Sequence, residues 1–179
     1  MKRVLFGLMV AGTLAGGLAG CAGTGTGMGG ADTAVATLAS RSGTATQGVI
    51  TFTQHGSRVL VKADVTGLPP NTEHGFHVHE KGDCSAPDAM SAGGHFNPTA
   101  KPHGSMSMPD HHAGDINNLK ADASGRAQAS FELSDVTVAP GPASVVGRAV
   151  VVHKDPDDYK TQPTGNSGGR IACGVIAKS

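Results

Sequence analysis

The chain has 179 residues, and its 14 basic side chains balance its 14 acidic ones. Without a basic surplus we expect no nucleic-acid partner, because proteins that bind nucleic acid carry a clear positive patch. The length suits one compact domain with a single core.

The first 20 residues have the three-part layout of a secretory signal peptide. Lys2 and Arg3 precede an apolar run over residues 4–18, and small residues follow. The stretch Leu18-Ala19-Gly20-Cys21 resembles a bacterial lipobox, in which the cysteine is lipidated and becomes the first mature residue. We therefore predict a signal peptide over residues 1–20 and a multiply acylated anchor at Cys21 that attaches the protein stably to a membrane. An ordinary signal peptide with a chance cysteine is the alternative.

Residues 22–46 are dominated by Gly, Ala, Thr and Ser and contain little to bury. Such a composition predicts a flexible linker, so we expect a tether over residues 21–46 and one domain over residues 47–179. Ala22, rather than an aspartate, follows the cysteine, which in a Gram-negative cell suits the outer membrane. The expected location is the cell envelope, on the periplasmic face of the outer membrane or at the cell surface.

The three cysteines are an odd number for an exported protein. With Cys21 assigned to lipid, Cys84 and Cys173 remain, and in an oxidising compartment they most simply form one disulfide. Such a crosslink would stabilise the fold by about 2–5 kcal/mol. Two free thiols or a cysteine-based metal site are the alternatives.

The rest of the chain alternates short β-rich runs with Gly- and Pro-containing turns. Periodicity predicts strands or hairpins over residues 47–54, 58–66, 74–80, 116–133, 145–153 and 171–177. No stretch has the pattern of a long capped helix, so the sequence predicts an all-β sandwich or barrel. Two long segments, residues 81–114 and 154–169, lack a regular pattern, and long loops of this kind are usually functional.

Histidines are concentrated on one predicted strand and in the first long segment. His77 and His79 are two residues apart on a strand, so their imidazoles lie on one face, and His153 ends another apolar strand. An all-imidazole set suits Cu²⁺. Three imidazoles and a carboxylate would suit a tetrahedral zinc site, and the candidates are His95, His103, His111, His112 and Asp115. The sequence therefore predicts two metal sites of different character.

Five ordered motifs resemble the copper/zinc superoxide dismutases of the bacterial, exported kind. They are GFHVHE at 75–80, GHFNP at 94–98, HAGD at 112–115, the segment 147–153 and GNSGGRIACGVI at 165–176. The resemblance implies a Greek-key β-sandwich or flattened barrel of immunoglobulin-like architecture with two long functional loops. It also implies one copper and one zinc per subunit, and dismutation of superoxide to O₂ and H₂O₂ in defence of the cell envelope.

The resemblance assigns a ligand set to each metal. The implied copper ligands are His77, His79, His95 and His153. The implied zinc ligands are His95, His103, His112 and Asp115, so that His95 bridges the two ions and is a catalytic residue. The family's H-x-x-D spacing selects His112 over its neighbour His111, and His74 matches a structural histidine.

Further residues take roles from the same resemblance. Asp157 matches a carboxylate that orients one ligand of each metal, and Cys84 and Cys173 match the family's intrasubunit disulfide. Arg170, beside Cys173, is expected to guide the anionic substrate. Two residues are expected to line the channel or to add charge: Thr164 and Lys160.

The resemblance does not cover every feature. Residues 84–94 and 157–170 differ in length from familiar eukaryotic members, so contacts between subunits do not transfer, and monomer and homodimer both stay open. The first long segment contains three methionines: Met90, Met106 and Met108. For these we favour a packing or mobile role over copper ligation. The rival interpretations are a copper or zinc carrier and a zinc hydrolase with three imidazoles and a water.

Overall fold

The computed structural model describes Met1 and residues 32–179, and in that part of the chain it contains nine β-strands and one short 3₁₀ helix, Met90–Ala92. The strands are β1 (Thr33–Ser40), β2 (Gln47–His55), β3 (Arg58–Thr66), β4 (Glu73–His79), β5 (Asp115–Lys120), β6 (Ala127–Leu133), β7 (Ala149–His153), β8 (Arg170–Val175) and β9 (Ala177–Lys178). The predicted all-β class is confirmed. The predicted signal peptide and Cys21 lie outside the described residues.

The strands form one strongly curved antiparallel sheet. Its order is β5-β4-β7-β8-β1-β2-β3-β6, with β9 beside β1. The two end strands, β5 and β6, pack against each other, so the sheet is a nearly closed barrel. Crossovers place β4 beside β7 and β3 beside β6, which agrees with the Greek-key architecture implied by the resemblance.

Alternate residues of the strands fill the interior of the barrel. Ile50 and Phe52 of β2 are fully buried, whereas their neighbours along the strand are not. The buried residues of β3 show the same period of two, which is typical of a sheet with one face in solvent. They are Val59, Val61, Ala63 and Val65. Because burial of a large apolar side chain contributes about 1.5–3 kcal/mol, this alternation drives closure of the sheet.

Strand β4, unlike β3, is buried on both faces. Phe76 and Val78 belong to the barrel core, so His77 and His79 occupy the opposite face, as the H-x-H spacing predicts. The connections over residues 80–114 and 154–169 fold across this outer face and make hydrogen bonds to both imidazoles. The two long loops therefore build a buried polar layer outside the barrel.

The disulfide predicted between Cys84 and Cys173 is present, with the two Cα atoms 5.8 Å apart. It joins the first long loop to β8 across a sequence separation of 89 residues. The two alternatives, free thiols and a cysteine-based metal site, are therefore wrong. Within residues 32–179, no helix is long and apolar enough to cross a bilayer.

The predicted domain boundary at residue 47 is wrong, because part of the expected tether is strand β1. Its small side chains alternate between buried and exposed positions, and β1 pairs with both β2 and β8. Beyond the strand, the Arg41 guanidinium donates to the carbonyl oxygen of Cys84 (2.6 and 3.0 Å), and Ser42 Oγ donates to that of Arg170 (2.7 Å). An Ala- and Thr-rich composition resembles a linker, yet here it supplies two small side chains, Ala34 and Ala36, to the core.

Candidate metal centre

Four imidazoles converge beneath the two loops, and we call them the four-histidine cluster: His77, His79, His95 and His153. A backbone bridge between His79 and His95 joins the first loop to β4. The His95 ring stacks on His77 with centroids 3.9 Å apart, and the Nε2 atoms of His79 and His153 are 3.3 Å apart. One nitrogen from each ring lies within 4.8 Å of the other three, and all four residues are buried.

Each ring on β4 and β7 uses one nitrogen to fix its orientation. His79 Nδ1–H donates to the carbonyl oxygen of Gly93 (2.9 Å), and His153 Nδ1–H donates to that of Gly168 (3.3 Å). His77 Nε2–H donates to Asp157 Oδ2 at 2.8 Å. The opposite nitrogen of each ring is thereby left as an acceptor directed at the others.

Two of these inward nitrogens, His77 Nδ1 and His95 Nε2, are buried without a hydrogen-bond partner. Buried polar atoms are normally paired, so convergent lone pairs that lack a donor fit a bound cation. Four imidazole nitrogens form a donor set that suits Cu²⁺.

A second group, the mixed cluster, comprises His95, His103, His112 and Asp115. Asp115 opens β5, and its Oδ1 lies 2.8 Å from His95 Nδ1 and 3.3 Å from His112 Nδ1. Its Oδ2 lies 3.0 Å from His103 Nδ1, yet that nitrogen makes no hydrogen bond. A short approach without hydrogen-bond geometry is what two ligands of one ion show, and three imidazoles with one carboxylate suit tetrahedral zinc.

His95 belongs to both clusters. Its Nδ1 faces Asp115, whereas the opposite nitrogen, Nε2, faces the four-histidine cluster. One imidazole therefore separates the two candidate metal positions.

Asp157 also contacts both clusters, through hydrogen bonds. Its Oδ2 accepts from His77 Nε2 (2.8 Å), and its Oδ1 accepts from His103 Nε2 (3.0 Å). The backbone of Asp157 is held by the carboxamide of Asn118, which accepts from the N–H (2.9 Å) and donates to the C=O (3.0 Å). A β-carbon at Gly165 would clash with Asp157 Oδ1, so only glycine fits there, at a φ of 66°.

Burial and charge set the protonation of the two clusters. Burial lowers the pKa of His77, His79 and His153, and burial together with His77 lowers that of His95 to about 3. Burial also opposes charging of His103, but the two carboxylates beside its ring, those of Asp115 and Asp157, outweigh burial and raise its pKa to about 9. The four-histidine cluster therefore has neutral rings at pH 7, whereas His103 is a cation when no metal competes for Nδ1.

Arg170, at the start of β8, lies beside the four-histidine cluster. Its guanidinium donates to the carbonyl oxygens of Ala89 (2.7 Å) and Gly93 (2.6 Å). The Gly93 oxygen also accepts from His79 Nδ1, so the cation and the imidazole share one acceptor. The positive charge of Arg170 adds to burial in lowering the pKa of His79. The position suits attraction of an anion toward this cluster.

Other residues singled out from the sequence lie outside both clusters. His74 is buried and donates from Nδ1 to the carbonyl oxygen of His153 (2.9 Å), and His111 donates from Nδ1 to that of Met108 (2.6 Å). The remaining residues are exposed or partly buried: Met90, Met106, Met108, Lys160 and Thr164. Sequence reasoning missed Asn118 and Gln162, because a lone amide carries no motif.

Comparison with known proteins decides the family. The family model described as copper/zinc superoxide dismutase (SODC) matches residues 46–176. The chain belongs to the copper/zinc superoxide dismutase family. Superoxide dismutase [Cu-Zn] 2 of Aquifex aeolicus (strain VF5) is 46% identical over 124 residues, which cover 67% of this chain and 72% of the relative. Superoxide dismutase [Cu-Zn] 1 of the same organism is 45% identical over 127 residues, covering 69% and 75%.

Family membership makes the chain an oxidoreductase that acts on superoxide, with copper and zinc as its metals. The residues present fit both ions. The four-histidine cluster supplies only nitrogen donors, which suit copper, and the mixed cluster supplies three nitrogens and a carboxylate oxygen, which suit zinc. Three of the imidazole nitrogens are buried without a hydrogen-bond partner, as expected of metal ligands.

Zinc binding to the metal-free protein at pH 7 is expected to release about one proton, because His103 must become neutral to ligate. The raised pKa of His103 means that this release declines as the pH rises through about 9. Titration calorimetry in buffers of different ionisation enthalpy measures the proton count. A count that stays at zero between pH 7 and pH 8 would contradict the assignment.

Proposed function

We propose that this dismutase converts two superoxide anions and two protons into O₂ and H₂O₂ at a two-metal centre. Copper would be held by the four-histidine cluster and zinc by the mixed cluster. The observation that carries the proposal is the His95 ring, whose two nitrogens face the two clusters. When bound, copper supplies one-electron redox chemistry, and zinc supplies positive charge without redox change.

The protein's first contribution is a fixed ligand geometry. The carbonyl oxygens of Gly93 and Gly168 and the carboxylate of Asp157 hold three of the rings before any metal arrives. Outer partners of this type fix the tautomer and the direction of each imidazole. The lone pairs of His77, His79 and His153 therefore need little reorganisation on binding.

Its second contribution is proton handling at His95 Nε2. Because Nδ1 is directed at the mixed cluster, Nε2 is the only nitrogen of that ring free to take up a proton and pass it to the departing product.

Its third contribution is a local positive field. The mature chain expected after loss of Lys2 and Arg3 has 12 basic against 14 acidic residues, a net charge of −2, so an anion must be drawn in locally. Electrostatic focusing in a cleft raises on-rates by about 10–10³. Arg170, half-buried and next to His79, is placed for that role.

Metal reconstitution tests the function. Metal-free protein loaded with copper and zinc together is expected to accelerate superoxide decay, whereas zinc alone gives no acceleration because zinc has no redox change. Metal content is measured on the same samples. Full occupancy by both metals without superoxide loss would contradict the proposal and favour a metal carrier.

Replacement of the guiding cation, Arg170→Ala, is expected to lower kcat/KM roughly tenfold, at the low end of the range for electrostatic focusing, and to weaken its dependence on ionic strength. Copper content should stay unchanged. The matched control is Arg58→Ala, which removes an exposed arginine in the β2–β3 hairpin whose guanidinium, among the described residues, pairs only with Glu132. Equal kinetics for both variants would remove Arg170 from substrate guidance.

We also propose that the chain is a lipoprotein of the cell envelope, anchored at Cys21, where it protects the envelope from extracytoplasmic superoxide. Support comes from the lipobox-like stretch and the preceding signal-peptide pattern. The variant Cys21→Ser is expected to move the protein from the membrane fraction to the soluble fraction, with metal-loaded activity retained. The proposal fails if the unaltered protein is itself soluble or if the variant stays in the membrane.

A further inference from the structure

The backbone of His103 is held by a single side chain from the opposite loop. The N–H of His103 donates to Gln162 Oε1 at 2.8 Å, and the carbonyl oxygen of His103 accepts from Gln162 Nε2 at 2.8 Å. Within residues 32–179, no other hydrogen bond satisfies these two backbone groups. One carboxamide therefore satisfies both backbone groups of His103, as a neighbouring strand does in a sheet.

His103 needs such support because its segment has no regular structure. It lies between residue 97 and β5 in a stretch without strand or helix, so no ladder of backbone hydrogen bonds fixes its Cα position. Two contacts cross from the loop over residues 154–169. Asp157 holds the ring at Nε2, and Gln162 holds the backbone.

Ring orientation and backbone position together determine where Nδ1 points. In the observed arrangement, His103 Nδ1 lies 3.0 Å from Asp115 Oδ2, buried and without a hydrogen-bond partner. With Gln162 removed, the ring stays attached to Asp157 but the backbone loses both of its hydrogen bonds. Nδ1 can then swing away from Asp115, while no residue of the four-histidine cluster is touched.

We propose that Gln162 is a positioning residue for the zinc site, which holds His103 in its ligating position and thereby slows zinc release without affecting copper. The inference rests on the zinc ligands of the proposed function. It assigns a role to an exposed amide that touches no metal ligand atom and acts through the peptide groups of His103.

The test compares Gln162→Met, which keeps the length of the side chain but removes both polar atoms, with Gln128→Met. Gln128 is an exposed glutamine on β6, and within residues 32–179 its amide hydrogen-bonds only to Asp64. Both proteins are loaded with copper and zinc, and metal release to a chromogenic chelator is followed for each ion. We expect zinc release to be about tenfold faster in Gln162→Met, the low end of the range for lost outer-shell partners, and unchanged in Gln128→Met.

Cobalt(II), placed in the zinc site as a spectroscopic probe, gives a second measurement. Its visible absorption depends on ligand geometry, so Gln162→Met is expected to change the spectrum and Gln128→Met is not. A shorter amide, Gln162→Asn, cannot span both backbone atoms and should behave like the methionine variant. Circular dichroism and disulfide content verify that each variant is folded.

Each outcome decides the inference. Faster zinc release with unchanged copper release in both Gln162 variants supports it. Zinc release equal to that of the unaltered protein overturns it, as does equal loss of both metals, which would indicate general loosening of the loops. If the unaltered protein takes up no zinc, the proposed zinc site fails, and that result is distinct because it precedes any comparison of variants.

Discussion

A single buried imidazole constrains this molecule more than any other group. His95 faces the four-histidine cluster through Nε2 and the mixed cluster through Nδ1, so the two candidate metal positions share one ring. The barrel supplies a rigid strand on one side of this ring, and the loop that carries His103 and His112 approaches it from the other. Burial keeps the ring neutral at ordinary pH, which is the state in which both nitrogens can act as ligands after loss of one proton.

Long-range cross-links hold the loops that enclose the ring. Asp157 joins one imidazole of each cluster, the disulfide ties the first loop to β8, and Arg41 donates to the carbonyl oxygen of Cys84. Each contact links segments far apart in sequence, so these links add to the local turns that order the loops. The same links position Arg170, since its guanidinium holds two carbonyl oxygens of the disulfide-bonded loop.

Much of this arrangement is predictable from sequence, for identifiable reasons. The period of two in a strand places His77 and His79 on one face, and the odd cysteine count leaves one pair to form a disulfide. Strand β1 was not predictable from composition, because a stretch rich in Ala and Thr has the composition of a linker even when its alanines are buried in the core. Asn118 and Gln162 carry no motif, since an amide gains its role only when the fold brings a distant peptide group within reach.

The claim of a shared imidazole is tested most directly by anomalous diffraction from crystals of the protein loaded with both metals, with data collected at the copper and zinc absorption edges. A shared His95 imidazole predicts a copper signal among His77, His79, His95 and His153, and a zinc signal on the other side of His95, among His103, His112 and Asp115. Both signals on one side of His95, or a single metal position, would contradict it.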